Sequence, residues 1–142
     1  MKNIFIKLVL MITAMSISLS VCAGTDEGLI KEVIVTAYME GMQIEPDVDK
    51  VQNGFHSSFF MYVYENGGVV PVSQKNLLEI IAGKEDATDE ITYSFESVDV
   101  VGNSAVAKLI VYKDGELTFT DFFSLYKLDD GWKIVAKIYE TH

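Results

Sequence analysis

Apolar residues recur every four positions near the start of the folded chain. Leu29, Val33, Ala37 and Gly41 form one row, and Ile30, Ile34, Tyr38 and Met42 form the next. Two adjacent rows make one broad apolar stripe, the pattern of a helix laid on a core. Thr25-Asp26-Glu27 supplies its start signal. Glu45-Pro46-Asp47 opens a second, shorter helix with proline near its first turn. Val48, Val51 and Phe55 share one of its faces, and Asn53-Gly54 ends it.

From Ser58 to Tyr64 the period changes to the aromatic and β-branched alternation of a strand. Tyr62 and Tyr64 fall on one face, and Phe59, Met61 and Val63 on the other. One of these sets is expected to line a cavity with Tyr38. Asn66-Gly67-Gly68 turns the chain into a brief strand at Val69-Val70. Ser73 then caps a third helix buried through Leu77, Leu78 and Ile81 and stopped at Gly83. An acidic loop follows, Lys84 to Glu90. Four further strands are predicted at Ile91–Val101, Ser104–Tyr112, Leu117–Leu128 and Trp132–Glu140, joined by Gly102-Asn103, Asp114-Gly115 and Asp129-Asp130-Gly131. The order is helix, helix, hairpin, helix and a four-stranded meander. It predicts an α+β domain with helices on one face of a curved, mainly antiparallel sheet. The concavity that such helices leave unfilled is the default place for a ligand.

The residues before the first helix have a different character. Lys2 and Lys7 precede the apolar run Leu8 to Ser20, which is too short and too rich in serine to span a bilayer. Val21-Cys22-Ala23 then offers small residues of the kind a signal peptidase reads, so residues 1–23 are expected to be a leader cleaved after Ala23. That places a mature domain, 24–142, in the periplasm or outside the cell, with no transmembrane segment. The alternative is a lipoprotein anchored at Cys22. Cys22 is the one cysteine among 142 residues, so a chain cut after Ala23 carries none.

Charge narrows the partners. The whole chain has a net charge of −10 with no arginine, and loss of Lys2 and Lys7 takes it to about −12. Such a chain lacks the clustered cations that nucleic-acid phosphates require. No Cys/His metal cluster, Gly-rich phosphate loop or G-x-S-x-G elbow is present, so neither metal nor cofactor is expected.

Three stretches carry a resemblance. AYMEGMQIEPDVDKVQNGF is similar to the Tyr-containing first helix, acidic turn and short second helix of the nuclear transport factor 2-like superfamily. TDFFSLYKLDDGWKIVAKIY resembles that superfamily's final hairpin. GFHSSFFMYVYENGGVVPVS looks most like its putative lumazine-binding branch. The resemblance covers nearly all of the expected mature chain. It implies a cone-shaped fold with three N-terminal helices on the sheet, and a homodimer formed through the outer sheet face. It also relates the chain to ketosteroid isomerase and the SnoaL-like cyclases. In the isomerase a strand Asp and a helix Tyr donate hydrogen bonds to the enolate oxygen, and Asp121 and Tyr38 match those positions. The isomerase's base position falls near Val63 or Tyr64, neither a carboxylate.

The last hairpin holds the candidate chemistry. If Asp129-Asp130-Gly131 is a three-residue loop, Leu128 faces Trp132, Phe123 faces Lys137 and Asp121 faces Tyr139. Asp121 and Lys137 then become diagonal neighbours on a face shared with Phe119, Leu125 and Val135. A two-residue loop would put them on opposite faces. An ammonium beside Asp121 would hold it ionised and make it an acceptor, contrary to the donor role in the isomerase. His56 is a further candidate acid or base. Glu96 and Asp99 fall on opposite faces and make no carboxylate pair. The expected pocket comprises Tyr38, Met42, His56, Tyr62, Tyr64, Phe119, Asp121, Phe123, Lys137 and Tyr139. The expected function is non-catalytic binding of a small, fairly apolar molecule. The alternatives are a proton-transfer, isomerase or dehydratase enzyme using Asp121, Tyr38 and His56, and a homodimeric interaction module.

Overall fold

The computed structural model describes residues 24–142; the leader, its cleavage point and Cys22 lie outside the described residues. Helix α1 (Asp26–Ile34) begins where the Thr25 hydroxyl accepts the Gly28 N–H at 3.2 Å. That cap satisfies one of the donors a helix start leaves free. Without a break, α1 continues as a π-helical segment, Val35–Ile44. The four-residue spacing predicted an ordinary helix here. The wider i→i+5 turn instead brings residues five apart onto one face. Helix α2 (Val48–Gly54) is capped by Asp47, whose carboxylate accepts the N–H groups of Asp49 and Lys50. Its packing is close: a Cβ at Gly54 would lie 2.2 Å from that of Ala37.

Phe55 is the first residue of strand β1 (Phe55–Glu65) rather than the end of the helix. The turn Asn66-Gly67, positive in φ at both residues, leads into β2 (Gly68–Ser73), longer than the predicted pair of valines. Helix α3 (Gln74–Ala82) follows, then β3 (Ile91–Val101), β4 (Ser104–Lys113), β5 (Glu116–Leu128) and β6 (Gly131–Thr141). The sheet order is β2-β1-β6-β5-β4-β3, with β1 parallel to β6 and the other neighbours antiparallel. The described residues thus form three helical regions with one curved, mixed six-stranded sheet. Ile30, Ile34, Tyr38 and Met39 from the first helix share one core with Phe55, Phe59, Leu109, Phe123, Leu125 and Ile134 from the sheet.

The final hairpin departs from the predicted register in an instructive way. Leu128 pairs with Gly131, so the loop is the two residues Asp129-Asp130. Taken alone, that would send Lys137 to the outer face. However, Leu125 pairs with Ile134 while Ser124 pairs with Ala136, leaving Val135 as an extra, bulged residue. The bulge restores the predicted pairs, Phe123 with Lys137 and Asp121 with Tyr139. Val135 therefore does not share the inner face, as the three-residue loop required; Ile134 does, fully buried. Lys133 leaves the core edge to contact Asp130 at 3.3 Å and the Asn53 carbonyl at 2.7 Å. On the same hairpin, Lys127 and the Trp132 indole N–H both donate to Asp26, at 2.8 and 3.1 Å, and hold its carboxyl below the usual range.

Candidate functional site

Asp121 sits in the middle of β5 with no solvent exposure, and Lys137 on β6 is 3% exposed. Their separation is 2.5 Å from Nζ to Oδ1, an ionic contact without the angles of a hydrogen bond. The other carboxylate oxygen, Oδ2, accepts the Tyr38 hydroxyl at 2.8 Å. Tyr38 reaches it from the π-helical segment, across the core. One anion is thus held between a cation and a phenol, as burial of a charge requires.

Aromatic rings enclose the cation. Lys137 Nζ lies 4.2 Å from the Tyr139 ring centre, 4.9 Å from that of Tyr38 and 5.8 Å from that of Phe123. Phe123 in turn meets Tyr38 edge-on at 5.1 Å. Desolvation lowers the Lys137 pKa below the ordinary value of 10.5, with the Asp121 charge opposing it. Tyr38 is pushed well above 10.0, first by burial and then by the Asp121 charge.

Beside this cluster a cleft of about 140 Å³ is lined by Tyr38, Met42, Gln43, Met61, Phe119, Lys137 and Tyr139. Five of the expected pocket residues therefore line it: Tyr38, Met42, Phe119, Lys137 and Tyr139. Asp121 and Phe123 lie directly behind them. Two lining residues, Gln43 and Met61, were missed. Gln43 is five residues after Tyr38 and shares its face through the π-helical pitch, which the four-residue apolar spacing conceals. Met61 belongs to the β1 face that alternation offered as the other possible lining, and the expected pocket did not include it.

Three expected residues lie elsewhere. Tyr62 and Tyr64 point to the outer face, Tyr64 with 73% of its surface exposed. The parallel pairing explains this: Met61 neighbours the inward Lys137, whereas Tyr62 neighbours Ile138, which is 52% exposed. His56 is half-buried at the opposite end of the strand. Its Nδ1 accepts the Ser58 N–H at 3.1 Å, and it borders a separate groove with Gln52, Gln74 and Lys133. It cannot act on a molecule held beside Tyr38.

The geometry also separates this site from an isomerase oxyanion hole. There, a protonated Asp and a Tyr both donate to substrate. Here the Tyr38 proton is committed to Asp121, and Asp121 faces an ammonium. Among the described residues no group of His, Cys, Asp and Glu is placed to hold a metal ion, and no helix is long and apolar enough to cross a membrane.

Comparison with known proteins bears on the family and the fold. The profile of a family described as putative lumazine-binding matches residues 25–140. A nuclear transport factor 2-like protein of unknown function from Shewanella baltica superposes with a TM-score of 0.69 at 25% identity, covering 80% of this chain and 91% of that one. A second such protein, from Silicibacter pomeroyi, gives 0.67 at 19% identity, covering 80% and 93%. In sequence, the chain is 28% identical over 112 residues to the aldolase FrzH of a Cladobotryum species, across 78% of this chain and 89% of that protein.

Proposed function

The chain belongs to the putative lumazine-binding family of the nuclear transport factor 2-like superfamily, and from that premise we propose that it is a small-molecule-binding domain of the periplasm or cell exterior. The ligand enters the cleft between the first helix and the inner face of β1, β5 and β6 of a cone-shaped fold. One observation carries this reading. The Tyr38–Asp121–Lys137 cluster is buried at the wall of a mainly apolar cleft. A buried ion pair adds little stability beyond what apolar residues of the same volume give. A few convergent polar groups in an apolar cleft are what a ligand site needs. Size limits the ligand. A cavity of roughly 150 Å³ accommodates benzene, so the cleft of about 140 Å³ favours a one-ring molecule or smaller over a two-ring pteridine.

A second reading is enzymatic, favoured by the buried amine of lowered pKa beside an acid and by the likeness to an aldolase. The outer sheet face supports a homodimer. Tyr62, Ile138 and Phe122 stand in one row across β1, β6 and β5, all exposed and uncharged, on a chain whose net charge would otherwise repel a second copy.

Native mass spectrometry of protein purified from its own host tests the binding reading. A retained small molecule, lost in Tyr38→Phe or Asp121→Asn, is the expected result. Absence of any bound species, with no thermal stabilisation by one-ring and smaller compounds, would refute it.

A further inference from the structure

We infer that Lys137 is a carbonyl-capturing amine: held between the rings of Tyr38 and Tyr139 and against Asp121, at the wall of the cleft, it condenses with a small aldehyde or ketone to form a protonated imine. The inference rests on the binding reading above and names its ligand class.

The argument starts from the oddity of the placement. A lysine at a protein surface keeps its ammonium in water and its amine unavailable. Lys137 is 3% exposed, and the groups around its Nζ are three aromatic rings and one carboxylate. Desolvation of this kind is how proteins make a lysine nucleophilic. The adjoining space is apolar on the sides formed by Met42, Met61 and Phe119, which suits a short carbon chain or a single ring.

The proton inventory closes within the cluster. Asp121 takes one proton from the Lys137 ammonium, leaving a neutral amine and a neutral acid. The amine nitrogen attacks the carbonyl carbon, the C–N bond forms, and a second nitrogen proton passes to the carbonyl oxygen, giving a carbinolamine. Asp121 then returns its proton to the carbinolamine hydroxyl. The C–O bond breaks, water leaves, and the nitrogen lone pair forms the C=N bond. Ammonium plus carbonyl has become protonated imine plus water, and Asp121 is again a carboxylate. The product keeps a positive charge at the same place, so the buried anion is never left unpaired and the aromatic enclosure still faces a cation. No metal, oxidant or reductant is needed.

The test uses the whole protein without substitution. Butanal is added at neutral pH with cyanoborohydride, which reduces an imine to a stable butylamine, and peptide mapping locates the label. Butanol, which is similar in size and has no carbonyl, is tested in parallel by thermal shift. The expected result is early labelling at Lys137 about tenfold above that at the exposed Lys75, with stabilisation by butanol as well. Equal or weaker labelling at Lys137 overturns the inference. If butanol still stabilises the protein in that case, the binding reading survives; if it does not, both fall together.

Discussion

Replacing Asp121 by Asn and Lys137 by Met, singly and together, examines the physics on which the site rests. The two groups touch at 2.5 Å and are almost wholly buried. Asp121→Asn leaves an ammonium facing aromatic rings and a neutral amide, with no anion to pair it. Lys137→Met leaves a carboxylate with a single phenol donor. Removing one partner of a buried pair costs about 3–5 kcal/mol, because the remaining charge keeps its desolvation penalty. For a domain whose total stability is on the order of 5–15 kcal/mol, each single variant should melt about 10–20 °C lower. The double variant removes both charges while the Tyr38 hydroxyl still has an amide oxygen to meet. Its loss should be within about 1.5 kcal/mol of wild type, a strongly non-additive cycle. Urea unfolding followed by far-ultraviolet circular dichroism measures all four corners. Single losses below about 1 kcal/mol, or a double loss equal to their sum, would mean that the pair is solvated and that the site is not the one described.

Alkaline titration gives a second check. Burial holds Lys137 below 10.5, so the unfolded chain binds more protons across that interval and its contribution to stability rises with pH up to 10.5. Tyr38, raised well above 10.0, has the opposite sign, and its contribution is lost above pH 10.0. The urea midpoint should therefore rise and then turn over, and the Asp121→Asn/Lys137→Met double variant should lose the Lys137 share of the rise while keeping that of Lys84, which burial also holds below 10.5. Gly54→Ala forces a methyl within 2.2 Å of Ala37 Cβ and should cost about 1–3 kcal/mol, read from thermal unfolding; an unchanged midpoint would mean that α2 can slide. Ile138→Lys, on the outer face, should convert a dimer to a monomer by light scattering while the circular dichroism spectrum stays constant. A wild-type protein that is already monomeric would refute the homodimer.

Much of this architecture is written in local chemistry. Thr25, Asp47 and Ser73 each cap the helix that follows them, and Asn66-Gly67 and Asp114-Gly115 sit at positive φ in their hairpins. These choices act over three or four residues, so they can be read from a short window. The features that were not legible depend on partners far along the chain. Alternation in β1 gives two faces, but only its pairing with β6 decides that Met61 faces inward and Tyr62 outward. The π-helical segment that brings Gln43 beside Tyr38 leaves no mark in an apolar stripe spaced by four. Asp121 and Lys137 were correctly placed together, but through the wrong turn. The three-residue loop and the actual combination of a two-residue loop with a bulge give the same pairing at the site, and nothing local to Asp129-Asp130-Gly131 distinguishes them.

That bulge has a consequence for how the hairpin can vary in length. Val135 faces no partner, so a chain lacking it keeps every cross-strand pair on both sides and surrenders only the local bend. Removing any single residue from Gly131 to Ile134 instead changes the parity of the end that carries Trp132, unless the bulge closes in compensation. Turn length and site geometry are thereby uncoupled at one position. An insertion or deletion at residue 135 is the change in this hairpin that leaves Lys137 opposite Phe123 while the loop beyond it is free to be recast.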